Sequence, residues 1–113
     1  MVMRKNKYHN KKSFGFDSQK EHRRYQELLL LQKIGEIKDL KKQVTFELIP
    51  TQKNNVTGRV VERSVKYIAD FTYIDRYGNF IVEDTKSQAT KTDAYIIKRK
   101  LMLFVHNIKI KEL

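Results

Sequence analysis

Two aspartates, Asp70 and Asp84, stand fourteen residues apart, and Lys86 follows the second by two positions. A third acid, Glu21, lies well upstream. Paired carboxylates hold divalent cations. A lysine beside a cation-bound carboxylate can orient an attacking water or stabilise charge on a phosphorane-like transition state. That combination suits phosphodiester hydrolysis. Oxygen-only ligands favour Mg2+, with Mn2+ as a substitute, over zinc.

The chemistry requires elements that bring these residues together. A first helix is expected from Ser18 to Ile34, with Ser18-Gln19-Lys20-Glu21 in the form of a capping box and Gly35 as a left-handed stop. Gln43 to Ile49 alternates as a strand ended by Pro50, and the polar segment Thr51 to Gly58 is expected as a mobile loop. A long strand follows from Arg63 to Asp75, with Val65, Tyr67, Ala69, Phe71 and Tyr73 on one face. Asp75 to Asn79 is a turn, and Phe80 to Lys86 the returning strand. A second helix, Thr92 to Val105, is expected to turn Ala94, Ile97, Leu101, Phe104 and Val105 inward, and His106 to Lys111 forms a short last strand. The order is α-β-β-β-α-β.

With the turn centred on Tyr77, Ile74 is expected to face Phe80, Thr72 Val82, Asp70 Asp84 and Ile68 Lys86; a slip by two residues would keep both aspartates on one face, and only an odd slip would separate them. Directly opposed Cβ atoms lie roughly 4.5–5.5 Å apart. Two carboxylates at that separation repel by about 3 kcal/mol at an effective dielectric of about 20. A cation between them, or a retained proton, relieves this; neighbouring Lys66 and Lys86 on a solvated face are the structural alternative. Glu21 shares the helix stripe of Tyr25 and Leu28, which points it at the sheet. Its alternative is the capping box. Glu83 faces away from Asp84 and is expected as a surface or interface charge. His22 and His106 have no partner at a ligand spacing.

Composition narrows the partner. The chain has 113 residues, net charge +11 and no cysteine, so disulfides, thiolate zinc sites and a thiol nucleophile are excluded. One domain is expected over residues 14–113, preceded by a basic arm over residues 1–13. The excess charge points to a polyanion, nucleic acid before an anionic membrane surface. Arg4, Lys5, Lys7, Lys11 and Lys12 in the arm are candidate phosphate contacts, as is Lys91 in the polar loop from Ser87 to Lys91. No hydrophobic run approaches membrane-spanning length, and no apolar stretch follows the basic start as in a secretory signal, so a cytoplasmic location is expected.

Asp70, then Asp84-Thr85-Lys86, with a preceding helical Glu21, resembles the PD-(D/E)XK nuclease signature. The chain is similar, more closely still, to short phage and prophage proteins catalogued as a domain of unknown function and assigned to that superfamily. The supporting stretches are Phe16 to Glu21, Leu31 to Ile37, Tyr67 to Phe71 and Val82 to Lys86. Ala69 departs from the motif, whose name puts Pro there.

The resemblance implies an α/β restriction-endonuclease-like core with a mixed sheet flanked by helices. It implies that Asp70, Asp84 and the Thr85 carbonyl bind Mg2+ or Mn2+, that Glu21 completes the shell, and that Lys86 acts on the nucleophile or phosphate. Lys98, with Arg99 and Lys100, would hold DNA or form a solvated helix face. A homodimer cutting branched or duplex DNA, in the manner of a Holliday-junction resolvase, is the implied assembly and substrate. The rivals are a non-catalytic nucleic-acid-binding protein and a nuclease-like subunit of a recombination or transposition complex.

Overall fold

The computed structural model describes residues 9–86 and 90–113, with side chains from residue 19 onward. The elements are α1 (His9–Lys33), β1 (Ile37–Ile49), β2 (Gln52–Lys53), β3 (Val60–Glu62), β4 (Val65–Asp75), β5 (Phe80–Asp84), α2 (Asp93–His106) and β6 (Lys111–Glu112). One sheet runs β1-β4-β5-β6 and β2 pairs with β3 separately. The β5–β6 pair is parallel and the others are antiparallel. The fold is therefore α/β, with a mixed sheet and two helices. Among the described residues, no helix is long and apolar enough to cross a membrane.

Local chemistry sets several boundaries. Gly35 (φ +86°) ends α1, its N–H bonded to the Gln32 carbonyl and that of Glu36 to the Leu31 carbonyl. This is the paired closure that a left-handed glycine permits. Thr92 caps α2 by accepting from the Tyr95 N–H, and Asn107 ends it in the left-handed region. The Asp75 carboxylate accepts from the N–H groups of Tyr77 and Asn79, closing the β4–β5 turn.

Several boundaries differ from expectation. α1 begins at His9, so Ser18 is inside the helix and cannot cap it. Residues 9–13 join the helix. Arg4, Lys5 and Lys7, and the side chains of Lys11 and Lys12, lie outside the described residues. β1 starts at Ile37 rather than Gln43. Its first half is charged and carries an irregularity between Lys38 and Lys41, with Asp39 at φ +57°, which hides the two-residue period. The segment expected as a mobile loop contains β2, a tight turn and β3 begins two residues beyond it.

β5 shows that the helices lie on opposite faces of the sheet. Ile81 packs with α1 residues Leu28, Tyr25 and Leu31, whereas Val82 packs with α2 residues Tyr95 and Met102. β4 does not keep one phase. Tyr67 and Ala69 belong to the α2-side core, while Phe71 and Tyr73 belong to the α1-side core. The expected single face is thus split in two. The break falls at Asp70, between the pairs Lys42↔Phe71 and Val44↔Ala69, opposite Gln43 with φ +53°.

α2 is rotated from its expected orientation. Tyr95 and Met102 are buried, Ile96 and Leu101 pack against the same core, and Ile97, Phe104 and Val105 are exposed. The helix carries apolar residues on both sides, so spacing alone did not choose between them. The last strand is Lys111–Glu112, not His106 to Lys111, because Asn107 turns the chain out of the helix and Ile108 and Ile110 enter the core first.

Glu112 ties this last strand to α2. Tyr95 Oη donates to its carboxylate at 2.6 Å, and Arg99 and Lys91 lie at 3.1 and 3.2 Å. Burial pushes the carboxyl up, but these three partners outweigh it and hold it at about 2. A depressed carboxyl stabilises the fold above its unfolded value, and that contribution is lost as pH falls through the folded value. Glu112→Gln is expected to cost on the order of 1 kcal/mol at pH 7 in urea unfolding. The gap between variant and parent should shrink from about pH 4.5 and vanish near pH 2. A gap that is constant with pH would contradict this account.

Candidate active site

The site forms where β4 loses its phase and parts from β5. The register follows expectation from Ile74↔Phe80 through Thr72↔Val82 but ends at Phe71↔Glu83. Asp70 and Asp84, and likewise Ile68 and Lys86, are not ladder partners. Instead the Thr85 N–H and hydroxyl each donate to Asp70 Oδ2 at 2.8 Å. Two opposed carboxylates would repel, and this splay gives one of them two donors.

Asp84 is 1 % exposed. Tyr67 Oη donates to its Oδ2 at 2.5 Å. Lys86 Nζ lies 3.1 Å from Oδ1 and 4.8 Å from the Tyr95 ring centroid. The ammonium is thus ion-paired with Oδ1, and no further donor among the described residues reaches that buried oxygen. Burial is the main cause that pushes the Asp84 carboxyl up, to about 6, and the charge of Asp70 adds to it; Tyr67 and Lys86 oppose them.

Glu21 reaches the same place from α1. Its Oε2 accepts from Gln43 Nε2 at 3.1 Å. Burial and the Asp70 charge push its carboxyl up, while Lys42, the Gln43 bond and Lys86 pull it down. Asp70 therefore acts electrostatically on both other acids. The structure brings Glu21, Asp70, Asp84 and Lys86 into one electrostatic neighbourhood. Among the described residues, no three His, Cys, Asp or Glu side chains close into a group that could hold a metal ion.

Beside Asp84 opens a cleft of about 330 Å³ lined by Lys66, Tyr67, Ile68, Lys86, Tyr95 and Lys98, among others. Three lysines around a buried carboxylate make an anion-attracting mouth. Lys98 thus belongs to the site. Lys91 is engaged with Glu112 instead, and residues 87–89 of its loop lie outside the described residues.

Residues 4–112 match the model of a family described as "Protein of unknown function (DUF1064)". The chain belongs to this family. No curated protein and no solved structure matches it. For this family member the match takes in both helices and every strand, so the site is built from the family domain and not from an appendage.

Sequence reasoning missed three contributors. Tyr67 is a core residue, as its strand face suggests, but its hydroxyl also serves the site, since a buried tyrosine needs a partner for it. Gln43 looked like an ordinary strand start, and nothing local marks its left-handed conformation. Glu83 was expected at the surface but is completely buried on the α1 face. Arg24 meets it with two bonds, Nε at 2.9 Å and Nη2 at 2.6 Å, and Tyr73 Oη donates to the same carboxylate.

Proposed function

We propose that this chain is a divalent-metal-dependent DNA endonuclease with a PD-(D/E)XK-like core. The observation that carries the reading is Asp84: a carboxylate buried at the mouth of a lysine-lined cleft, one oxygen met among the described residues only by the Lys86 ammonium. Burial raises this carboxyl in spite of the Tyr67 bond and the Lys86 ion pair, which is what a site shaped for chemistry is expected to show.

The oxygens on offer are of the type a hard cation takes, although no three acids among the described residues are grouped around one point. Asp70 and Asp84 offer carboxylate oxygens, and the Lys86 ammonium already stands as a positive charge at Asp84 Oδ1. Asp70 and Asp84 would hold the ion, with the Thr85 carbonyl and Glu21 as further oxygens. When bound, Mg2+ or Mn2+ neutralises phosphate charge and lowers the pKa of a coordinated water. Thr85 fixes Asp70, and Tyr67 fixes Asp84. Lys86 is placed to stabilise negative charge developing on the phosphate or to orient the attacking water. Lys66 and Lys98 would hold phosphates entering the cleft.

The net charge of +11 supports DNA as the polyanion. A branched substrate and a homodimer follow only from the resemblance to junction resolvases. The deciding experiment is cleavage of a labelled four-way junction, a linear duplex and a single strand with Mg2+, Mn2+ or EDTA. Metal-dependent cutting is expected, and the preferred substrate then separates a resolvase from a general endonuclease. Salt-sensitive binding with no cutting of any substrate would overturn the enzymatic reading in favour of a binding protein.

A further inference from the structure

Residues 51–63 form a hairpin whose every residue is exposed. β2 and β3 pair through Gln52↔Glu62 and Lys53↔Val60 and pack mainly on each other. Val56, at the tip, is 93 % exposed, and Val60 and Val61 are exposed too. A two-stranded ribbon with no core is marginal by itself.

Its tip is nevertheless closely tied. Asn54 Oδ1 accepts from the N–H groups of Val56 and Thr57 at 2.8 and 2.9 Å, and the Gly58 N–H bonds the Asn54 carbonyl at 2.8 Å. The Asn54 N–H reaches the Arg59 carbonyl at 2.8 Å, Thr57 Oγ1 accepts from the Arg59 N–H, and Gly58 sits at φ +75°. Side chains thus help to shape the turn, and these bonds close within residues 54–59.

We infer that this hairpin is an arm that enters a groove of duplex DNA beside the cleft. The inference deepens the proposed function, since it rests on DNA being the ligand. Three features fit that occupant. Lys53, Arg59 and Arg63 outnumber the single acid Glu62, which gives a cationic ribbon. Gln52, Lys53, Asn55 and Arg59 are the residue types that read base edges and phosphates, and an exposed valine at the tip can meet a thymine methyl. A two-stranded ribbon also matches a major groove about 12 Å wide.

The arm is rooted in the right place. It leaves the sheet at the Ile49↔Val65 pair, and the next residue, Lys66, lines the cleft with Asp84 and Lys86. From Val65 to Asp70 the strand rises roughly 17 Å, about five base steps of duplex. A duplex laid along β4 from the cleft would meet the root of the arm about half a turn away.

The test is binding to a labelled duplex of about 25 base pairs in EDTA, where no cutting is needed, for the parent chain and for Lys53→Ala/Arg59→Ala/Arg63→Ala. The variant should bind at least about tenfold more weakly near physiological salt, and its log–log salt slope should fall by about 2–3. p-Benzoylphenylalanine placed at Val56 should cross-link to the duplex. Circular dichroism and Tm should match the parent, because no core residue changes.

Unchanged affinity with no cross-link to DNA would overturn the arm and leave the nuclease reading standing. A cross-link to a second copy of the chain, with loss of a dimer in sedimentation, would overturn it in favour of an oligomerisation arm. DNA binding that depends on the arm, without metal-dependent cutting, would leave the arm and remove the nuclease. A parent chain that binds no duplex would remove both.

Discussion

Asp84→Asn is expected to abolish metal-dependent cleavage while making the protein more stable. The carboxylate is lost as a cation ligand and as the partner of Lys86, but amide and carboxylate have nearly the same shape. The amide oxygen can still accept from Tyr67. Burial and Asp70 push the Asp84 carboxyl up to about 6. Its unfolded value is about 3.9. The folded state prefers the neutral acid, so Asp84 favours folding most below pH 4 and progressively less as pH rises through 6. At pH 7 the ionised group opposes folding by about 1–3 kcal/mol, which the neutral asparagine avoids.

In EDTA at pH 7, Asp84→Asn should therefore raise Tm by several degrees, and the gain should fade at pH 4. Lys86→Ala is the companion. Removing one preorganised charge that acts on the transition state lowers turnover by roughly a hundred- to a thousand-fold, with duplex binding largely kept. It should not stabilise, because it leaves Asp84 without its cation. A structural ion pair would give the opposite pattern, with Asp84→Asn unstable and cleavage intact in both variants. Either result would place the active site elsewhere. This opposition of activity and stability is what a site held in an unfavourable state predicts.

The site was legible in the sequence to the extent that its signals were local. Asp84-Thr85-Lys86 lies in one short stretch, and Asp75 to Asn79 announces the turn that folds β4 and β5 together. Gly35 and Thr92 mark helix ends by single-residue chemistry. What escaped depends on contacts distant in the chain. Period-two counting put Phe71 and Ala69 on one face. The phase break at Asp70 falls opposite Gln43, twenty-seven residues earlier, which adopts φ +53°. Ile97 and Phe104 looked inward-facing because α2 is apolar on two sides, and only the sheet decides which side it covers.

The same limit applies to Glu21. Its stripe pointed correctly toward the sheet, but the competing cap could be dismissed only once α1 was seen to start at His9. The polar composition of residues 51–58 suggested mobility, whereas their bonds build the turn of a hairpin. Composition reports what a segment can bury, not whether it is shaped.

Glu83→Ala is expected to destabilise the fold by about 3–5 kcal/mol. Glu83 is completely buried, yet it carries a charge that three groups address: Arg24 through two bonds, Tyr73 through its hydroxyl and Lys111 at 3.8 Å. Truncation leaves the Arg24 guanidinium and the Tyr73 hydroxyl short of an acceptor beneath α1, and such uncompensated groups are the costly ones. Arg24→Ala should cost a similar amount, because it strands the buried carboxylate. Replacing both, with Glu83→Leu and Arg24→Met, should recover much of either loss, since an apolar pair avoids burying charge. Urea unfolding of Glu83→Leu, Arg24→Met and the double variant closes the cycle. Additive losses would show that the pair is not coupled. The location gives the cycle a second use. Glu83 and Asp84 are neighbours on β5 that face opposite sides of the sheet, so one anchors α1 while the other serves the cleft. If the double variant folds stably and still cuts DNA, the ion pair is only a clamp for α1. A double variant that folds stably but does not cut would mean that the clamp also sets the position of Asp84.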